Sequence, residues 1–335
     1  MRAYFLKRLL LLGFTLWGIT LVSFSILQLA PGSPIDAKLA SGQDGSLSDK
    51  SAITAEQRQQ LMEEFHLDKP LIIQYGLWLK DIVRLDFGTS FIDRRPVIEK
   101  IKERLPVSLV FGLSSILFSL LIGIPLGIFS AWKKDTLIDR LIAVKVIAFY
   151  SLPTYVLGIL LLTFLGGGDF LDLFPIYGIQ SDNYEQLGFW AQILDRAHHF
   201  VLPCICYCIG TLAFITQQQR ASLLEAMSQD YIRTARAKGM SERRVVLKHA
   251  FRNSLIPIVT IIGAMIPSIL GGGVIVESLF SIPGLGLLAF ESLLQRDYPT
   301  IMANFTITAL LSLLGIFISD LFYVLVDPRI DFEGR

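Results

Sequence analysis

The chain alternates between long apolar runs and shorter polar stretches. Six runs reach or approach the roughly 20 apolar residues that cross a bilayer as a helix. Leu9–Ala30 and Val107–Trp132 carry no charge. Val146–Leu165 is uncharged too, with Pro153 inside it. Phe200–Gln219 starts apolar and ends in Gln217, Gln218 and Gln219. Leu255–Val276 is uncharged and contains Pro257, Pro267 and the run Gly271, Gly272, Gly273. Ile301–Val326 is apolar apart from Asp320. This pattern predicts an all-α integral membrane protein with six transmembrane helices, one domain over residues 1–335. Arg2, Lys7 and Arg8 precede the first run, as in a secretory signal. Its 22 uncharged residues exceed a usual signal core, and Leu29-Ala30-Pro31 is a poor cleavage site, so a retained helix is expected.

The polar stretches set the orientation. With the N-terminus inside, the inner pieces are the N-terminal tail, Lys133–Arg140, Arg220–Ser254 and the C-terminal tail. They collect Arg2, Lys7, Arg8, Lys133, Lys134 and Arg140, while the short outer loops Gly166–His199 and Ser281–Thr300 hold only Arg196 and Arg296. Both termini are therefore expected in the cytoplasm. Residues 31–106 form an extracytoplasmic insert. Within it Thr54 and Gln57 have capping-box spacing, and Leu61 and Phe65 stack one turn apart. Pro70 opens a second helix with Leu71, Tyr75, Trp78, Leu79 and Ile82 on one face. These helices either cap the bundle or form a platform for an extracytoplasmic partner.

Composition agrees and removes other classes. The chain is 53% hydrophobic and 18% charged, with a mean hydropathy of +0.56. A net charge of +1 gives no general attraction to nucleic acid. Cys204, Cys206 and Cys208 fall in one apolar run and read as small apolar fillers rather than a disulfide or metal site. His198 and His199 read as interfacial residues. There is no G-x-x-x-x-G-K-[ST] phosphate cradle, no Ser/His/acid set and no metal-ligand spacing. No catalytic residue, metal or bound cofactor is expected on this chain. Glu277, after the triple glycine, either contacts substrate, pairs with Arg296 or sits at headgroup level. Asp320 reads as a structural hydrogen-bonding or ion-pairing group.

Tyr231–Ser254 is the unusual polar stretch, with seven Lys or Arg residues and one acid, Glu242. Leu224, Met227, Tyr231 and Ala235 follow helical spacing. Gly239 suits the position just past a helix end, and Arg236 and Lys238 favour the last turn. Ser241 is a good N-cap, with Glu242 at the next helix start and Val246, Leu247, Ala250 and Phe251 as an apolar stripe. Two short helices meeting at a glycine corner are expected. Three readings stand: a lipid-headgroup patch, ordinary positive-inside charge, or a knob that docks a soluble partner.

Tyr231-Ile-Arg-Thr-Ala-Arg-Ala-Lys-Gly239 resembles the cytoplasmic EAA loop of binding-protein-dependent ABC importer permeases, in the dipeptide/oligopeptide/nickel branch. His249-Ala-Phe-Arg-Asn-Ser-Leu-Ile-Pro257, Leu85-Asp-Phe-Gly-Thr-Ser-Phe91, Phe280-Ser-Ile-Pro-Gly-Leu-Gly286 and Arg296-Asp-Tyr-Pro299 continue the likeness in order. The family pattern is Glu-Ala-Ala, three residues, then Gly. Here Arg233-Thr234-Ala235 stands at the first three positions, so only Ala235 and Gly239 match. The resemblance implies a bacterial inner-membrane permease subunit forming half of a peptide pathway. Its partners would be a second permease, two cytoplasmic ATPases that use ATP and Mg, an extracytoplasmic binding protein and the lipid bilayer. It implies an ATPase-coupling loop over residues 220–254, carried by Tyr231, Thr234, Ala235, Arg236, Ala237, Gly239 and Arg243, and a pathway near Gly271, Gly272, Gly273 and Glu277. Nickel or another small solute is the alternative cargo. An ATPase-independent secondary transporter is a different class, disfavoured because the halves show no repeat and the runs hold few charges.

Overall fold

A computed structural model describes residues 2–29, 69–167, 170–270 and 272–326. Thr54, Gln57, Leu61, Phe65 and Gly271, and the side chain of Asp320, lie outside the described residues. The chain is built of helices: α1 (Arg2–Leu29), α2 (Leu71–Val83), α3 (Val97–Trp132), α4 (Leu137–Ser151), α5 (Thr154–Leu165) and α6 (Phe189–Ser228). They continue as α7 (Asp230–Ala237), α8 (Glu242–Arg244), a π-helical turn (Val245–Ala250), α9 (Phe251–Leu270), α10 (Val274–Leu279), α11 (Leu285–Gln295) and α12 (Tyr298–Val326). Among the described residues, β pairing is limited to two isolated bridges.

Among the described residues, five helices are long and apolar enough to cross a membrane, and the α4–α5 pair, bent by 100°, makes a sixth if counted as one span. The bend divides the predicted span over Val146–Leu165 at Pro153. Pro153 lacks the N–H a helix interior needs, so α4 ends at Ser151 and Pro153 becomes the N-cap of α5. Other spans outrun their apolar cores. α3 has 36 residues and passes through Pro106, and α6 has 40. At 1.5 Å per residue these are about 54 and 60 Å, well beyond a hydrocarbon core of about 30 Å. Hydropathy registers only the part in lipid, which is why polar extensions such as Asp195 and Arg196 were read as loop.

α3 and α6 run parallel and form the centre of the bundle. Phe111 stacks on Phe200 at 4.8 Å, and Ser119 Oγ donates to the Cys208 carbonyl. Further along, Gly127 meets Gln219: a Cβ on Gly127 would lie 2.7 Å from the Gln219 Cβ and the Thr216 carbonyl. Small residues let the two backbones approach, the usual solution where lipid supplies no hydrophobic drive. All three cysteines are buried and unbridged. α2 packs its Tyr75 and Trp78 on Phe24 of α1, with ring centroids at 5.4 and 6.1 Å. Leu71, expected on that face, is exposed instead.

Candidate coupling corner and translocation path

Gln229 breaks the chain between α6 and α7 with extended backbone, φ −76° and ψ 155°. Leu224 and Met227 therefore end one helix and Tyr231 begins another, rather than sharing one row. Gly239 then turns the chain with φ +75°. A Cβ there would meet nothing within 4 Å, so glycine is needed for its backbone and not for space. Ser241 is the N-cap of α8 but its side chain makes no capping bond. From Glu242 the helix continues through the π turn into the fifth span. The second corner helix is thus the beginning of a span rather than a separate piece. Its one extra residue per turn brings Val245, Val246 and Ala250 into a single buried row.

That row closes an apolar cluster with Ile232, Ala235, Leu223, Ala226 and Ala131. Ala235 is only 7% exposed. The expectation that Ala235 faces a partner is therefore corrected: its methyl seats α7 on the chain's own core, because it lies one turn from Ile232 on the buried face. The outward face is different. Tyr231, Thr234, Arg236, Ala237, Gly239 and Arg243 are all exposed. Arg236 spans the corner to Glu242 with two hydrogen bonds, Nη2 to Oε1 at 2.6 Å and Nε to Oε2 at 3.1 Å. The Glu242 carboxylate raises the Arg236 guanidinium pKa further. At 42% and 47% side-chain exposure, the pair adds less than about 1 kcal/mol.

Behind the corner, Asp139 ties three elements together. It accepts from Arg220 Nε and Nη2, both at 2.8 Å, from Ser130 Oγ at 2.5 Å and from the Asp135 N–H at 3.1 Å. The end of α3, the start of α4 and the lower part of α6 therefore move as one. Neither residue stood out in the sequence, since their pairing spans 81 positions.

The other end of the bundle is stitched by two buried carboxylates. Glu277 on α10 is fully buried, at 0% exposure. Its Oε1 accepts from Ser108 Oγ (2.9 Å), Tyr207 hydroxyl (3.1 Å) and Gly273 N–H (3.1 Å), and its Oε2 from Leu287 N–H (2.8 Å). Ser108 in turn accepts from Leu285 N–H at 2.8 Å. Glycines make the room: a Cβ on Gly284 would lie 2.4 Å from the Glu277 carboxyl, and one on Gly272 2.7 Å from Gly286 N. Gly272 also needs its φ of +71°. The expected substrate contact, Arg296 pairing or headgroup placement of Glu277 is corrected accordingly. Its carboxylate is enclosed by neutral donors and organises the loop from Gly272 to Leu287.

Asp297, 1% exposed, does the same for the preceding loop. It accepts from Ser90 Oγ (2.5 Å), Phe91 N–H (2.9 Å) and Thr300 Oγ1 (2.6 Å) at the start of α12. Lys100 sits beside it and bonds Asp93 at 3.0 Å. Burial alone would raise the Asp93 carboxyl, but Lys100, Ser90 and the Arg95 N–H outweigh it and hold it below its ordinary value. The histidines are used locally: His198 Nε2 meets the Leu173 carbonyl at 2.6 Å, and His199 Nδ1 the Asp195 carbonyl at 2.9 Å.

Long apolar helices, one span broken in the middle and loops stapled by buried carboxyls mark an integral membrane protein, and the comparisons give its family. Residues 123–332 match the family described as binding-protein-dependent transport system inner membrane component, and the chain belongs to that family, the ABC transporter permeases. It is 40% identical over 333 residues to the oligopeptide transport system permease protein AppB of Bacillus subtilis, covering 99% of this chain and 100% of the relative. It is 36% identical to the inner membrane ABC transporter permease protein YejB of Escherichia coli O157:H7, over all of both chains. It is also 36% identical to the dipeptide transport system permease protein DppB of Lactococcus lactis, over 98% of each. Among solved structures, a chain of the methionine ABC transporter MetNI in inward-facing conformations shares the fold, with a TM-score of 0.52, 17% identity and coverage of 70% of this chain and 99% of that one.

Proposed function

We propose that this chain is the permease subunit of a peptide importer, forming half of the translocation pathway, and that the corner at Gly239 is where cytoplasmic ATPase subunits drive it. The supporting observation is the two-sided build of the corner. Ile232 and Ala235 anchor it inward, while Tyr231, Thr234, Ala237, Gly239 and Arg243 are left exposed on a rigid turn. A rigid exposed turn seated on a span can pass a push from a soluble partner into the bundle. On this reading residues 220–254 face the cytoplasm, both termini lie there, and residues 31–106 face outward. The working unit adds a second permease, two ATPases that bind ATP and Mg, and an extracytoplasmic binding protein. Peptide as cargo is supported by the relatives named for oligopeptides and dipeptides.

On this reading the pathway passes Gly272 and Gly273, with Glu277 held behind them. The test is Gly239→Asp in the assembled transporter. The variant inserts at normal levels, co-purifies less ATPase and loses peptide uptake. Wild-type uptake by this variant rejects the coupling role.

A further inference from the structure

Tyr207 on α6 stands where two cavities meet. One, a largely open groove of about 330 Å³, lies between α5, α6 and α10 and is bounded by Thr154, Cys206, Gly273 and Tyr207. The other, of about 120 Å³, lies between α3, α6 and α9 and is bounded by Gly112, Ser115, Thr211, Met265 and Tyr207. Each is far larger than one water needs, and the first falls in the range of small-molecule sites. We propose that Tyr207 is a movable partition between these cavities and that Glu277 is the latch that sets its position during transport. The proposal rests on the permease reading above and adds a positioning pair to it.

The contacts of Tyr207 separate a fixed side from a releasable one. Its ring stacks on Phe111 at 5.7 Å and 21°. On the opposite side it fills the space a Cβ on Gly273 would need, 2.4 Å from the hydroxyl. The ring stack is apolar and tolerates sliding, while the hydroxyl end meets the Gly273 backbone. The directional restraint is the hydroxyl's hydrogen bond to Glu277 Oε1 at 3.1 Å. Glu277 itself does not yield, because Ser108, Gly273 and Leu287 hold it from three other directions. Of its four donors, Tyr207 alone comes from a side chain that borders both cavities. A hydrogen-bonding solute in either cavity competes with Glu277 for that hydroxyl. Peptides, rich in amide groups, are the chemical class that would do so. Occupancy and release of the partition are thereby linked.

The experiment uses the full transporter in proteoliposomes and reads peptide taken up per ATP hydrolysed. Tyr207→Phe keeps the ring and leaves Ser108, Gly273 and Leu287 on Glu277. Its expected result is an intact complex that still hydrolyses ATP, with about a tenfold lower uptake per ATP. Glu277→Gln lowers the same ratio, and the double variant is no worse than the poorer single one, since both remove one interaction. If Glu277→Gln does not assemble, the ratio in Tyr207→Phe decides alone. A wild-type ratio in Tyr207→Phe, additive losses in the cycle, or a loss confined to protein yield each overturn the latch. Wild-type complex that takes up no peptide overturns both this and the permease reading. Wild-type uptake with a normal Tyr207→Phe overturns the latch alone.

Discussion

The two ends of the bundle use charge in opposite ways. At one end Glu277 and Asp297 are buried carboxylates held by hydroxyls and backbone N–H groups, with Lys100 Nζ a further 3.8 Å from Asp297, each tying together segments far apart in the chain. At the other end the corner is closed by an apolar cluster, and its ion pair, Arg236 with Glu242, lies on the surface. A buried carboxylate with several donors permits one geometry, because every unmade bond leaves a polar group without water. An exposed ion pair lets water replace either partner at little cost. The first construction suits a mouth whose shape is fixed. The second suits a surface that must accept a partner. Substitutions at both ends test the contrast.

The largest effect is expected at Glu277. Glu277→Ala strips the acceptor from four donors, two of them backbone N–H groups that cannot turn elsewhere. A loss of about 2–4 kcal/mol is expected, read as a large fall in Tm and yield in detergent. Asp297→Ala follows at about 2 kcal/mol, since it uncaps α12 and frees the Ser90–Phe91 segment. Its signature is faster tryptic cleavage after Arg94, since Pro96 blocks the bond after Arg95. Resistance equal to wild type would mean that the apolar contacts of Phe87 and Val97, and not the carboxylate, hold that loop.

Gly239→Ala comes next. Its cost is set by backbone alone, about 1 kcal/mol for a φ of +75° with open space around it. Gly239→Asn, which tolerates this conformation better, should fall between Ala and Gly in both Tm and uptake. Equal effects of Ala and Asn would point to contact at the corner surface instead of strain within it.

The sequence foretold the corner better than the mouth, for a physical reason. Gly239, Ala235 and Arg236 are neighbours in the chain, so capping rules and helical spacing bring them together without any tertiary information. The direction of Ala235, the break at Gln229 and the run of the second helix straight into the span escaped, because they depend on what lies beneath. At the mouth, Ser108 and Glu277 are 169 positions apart and Tyr207 and Glu277 are 70. No local pattern marks such a meeting. The sole sign was the glycine density around Glu277, at Gly272, Gly273, Gly284 and Gly286, which reads as helix packing until the enclosed carboxylate is seen. Apolar runs gave the spans but not their ends, since α3 and α6 continue as helix beyond the lipid.

The smallest effect belongs to the Arg236–Glu242 pair, and it sharpens the contrast most. Arg236→Glu places two acids across Gly239, and Glu242→Arg two bases. Each should cost under about 1 kcal/mol, less in high salt. The exchange of both residues restores attraction with the same reach. If the pair merely holds the corner angle, the exchanged variant recovers both Tm and uptake. If Tm recovers while uptake does not, the positions of the charges matter to whatever meets that face, and the corner is a recognition surface as well as a hinge. No such exchange can be made at Glu277, whose partners are hydroxyl and backbone donors with no charge to swap.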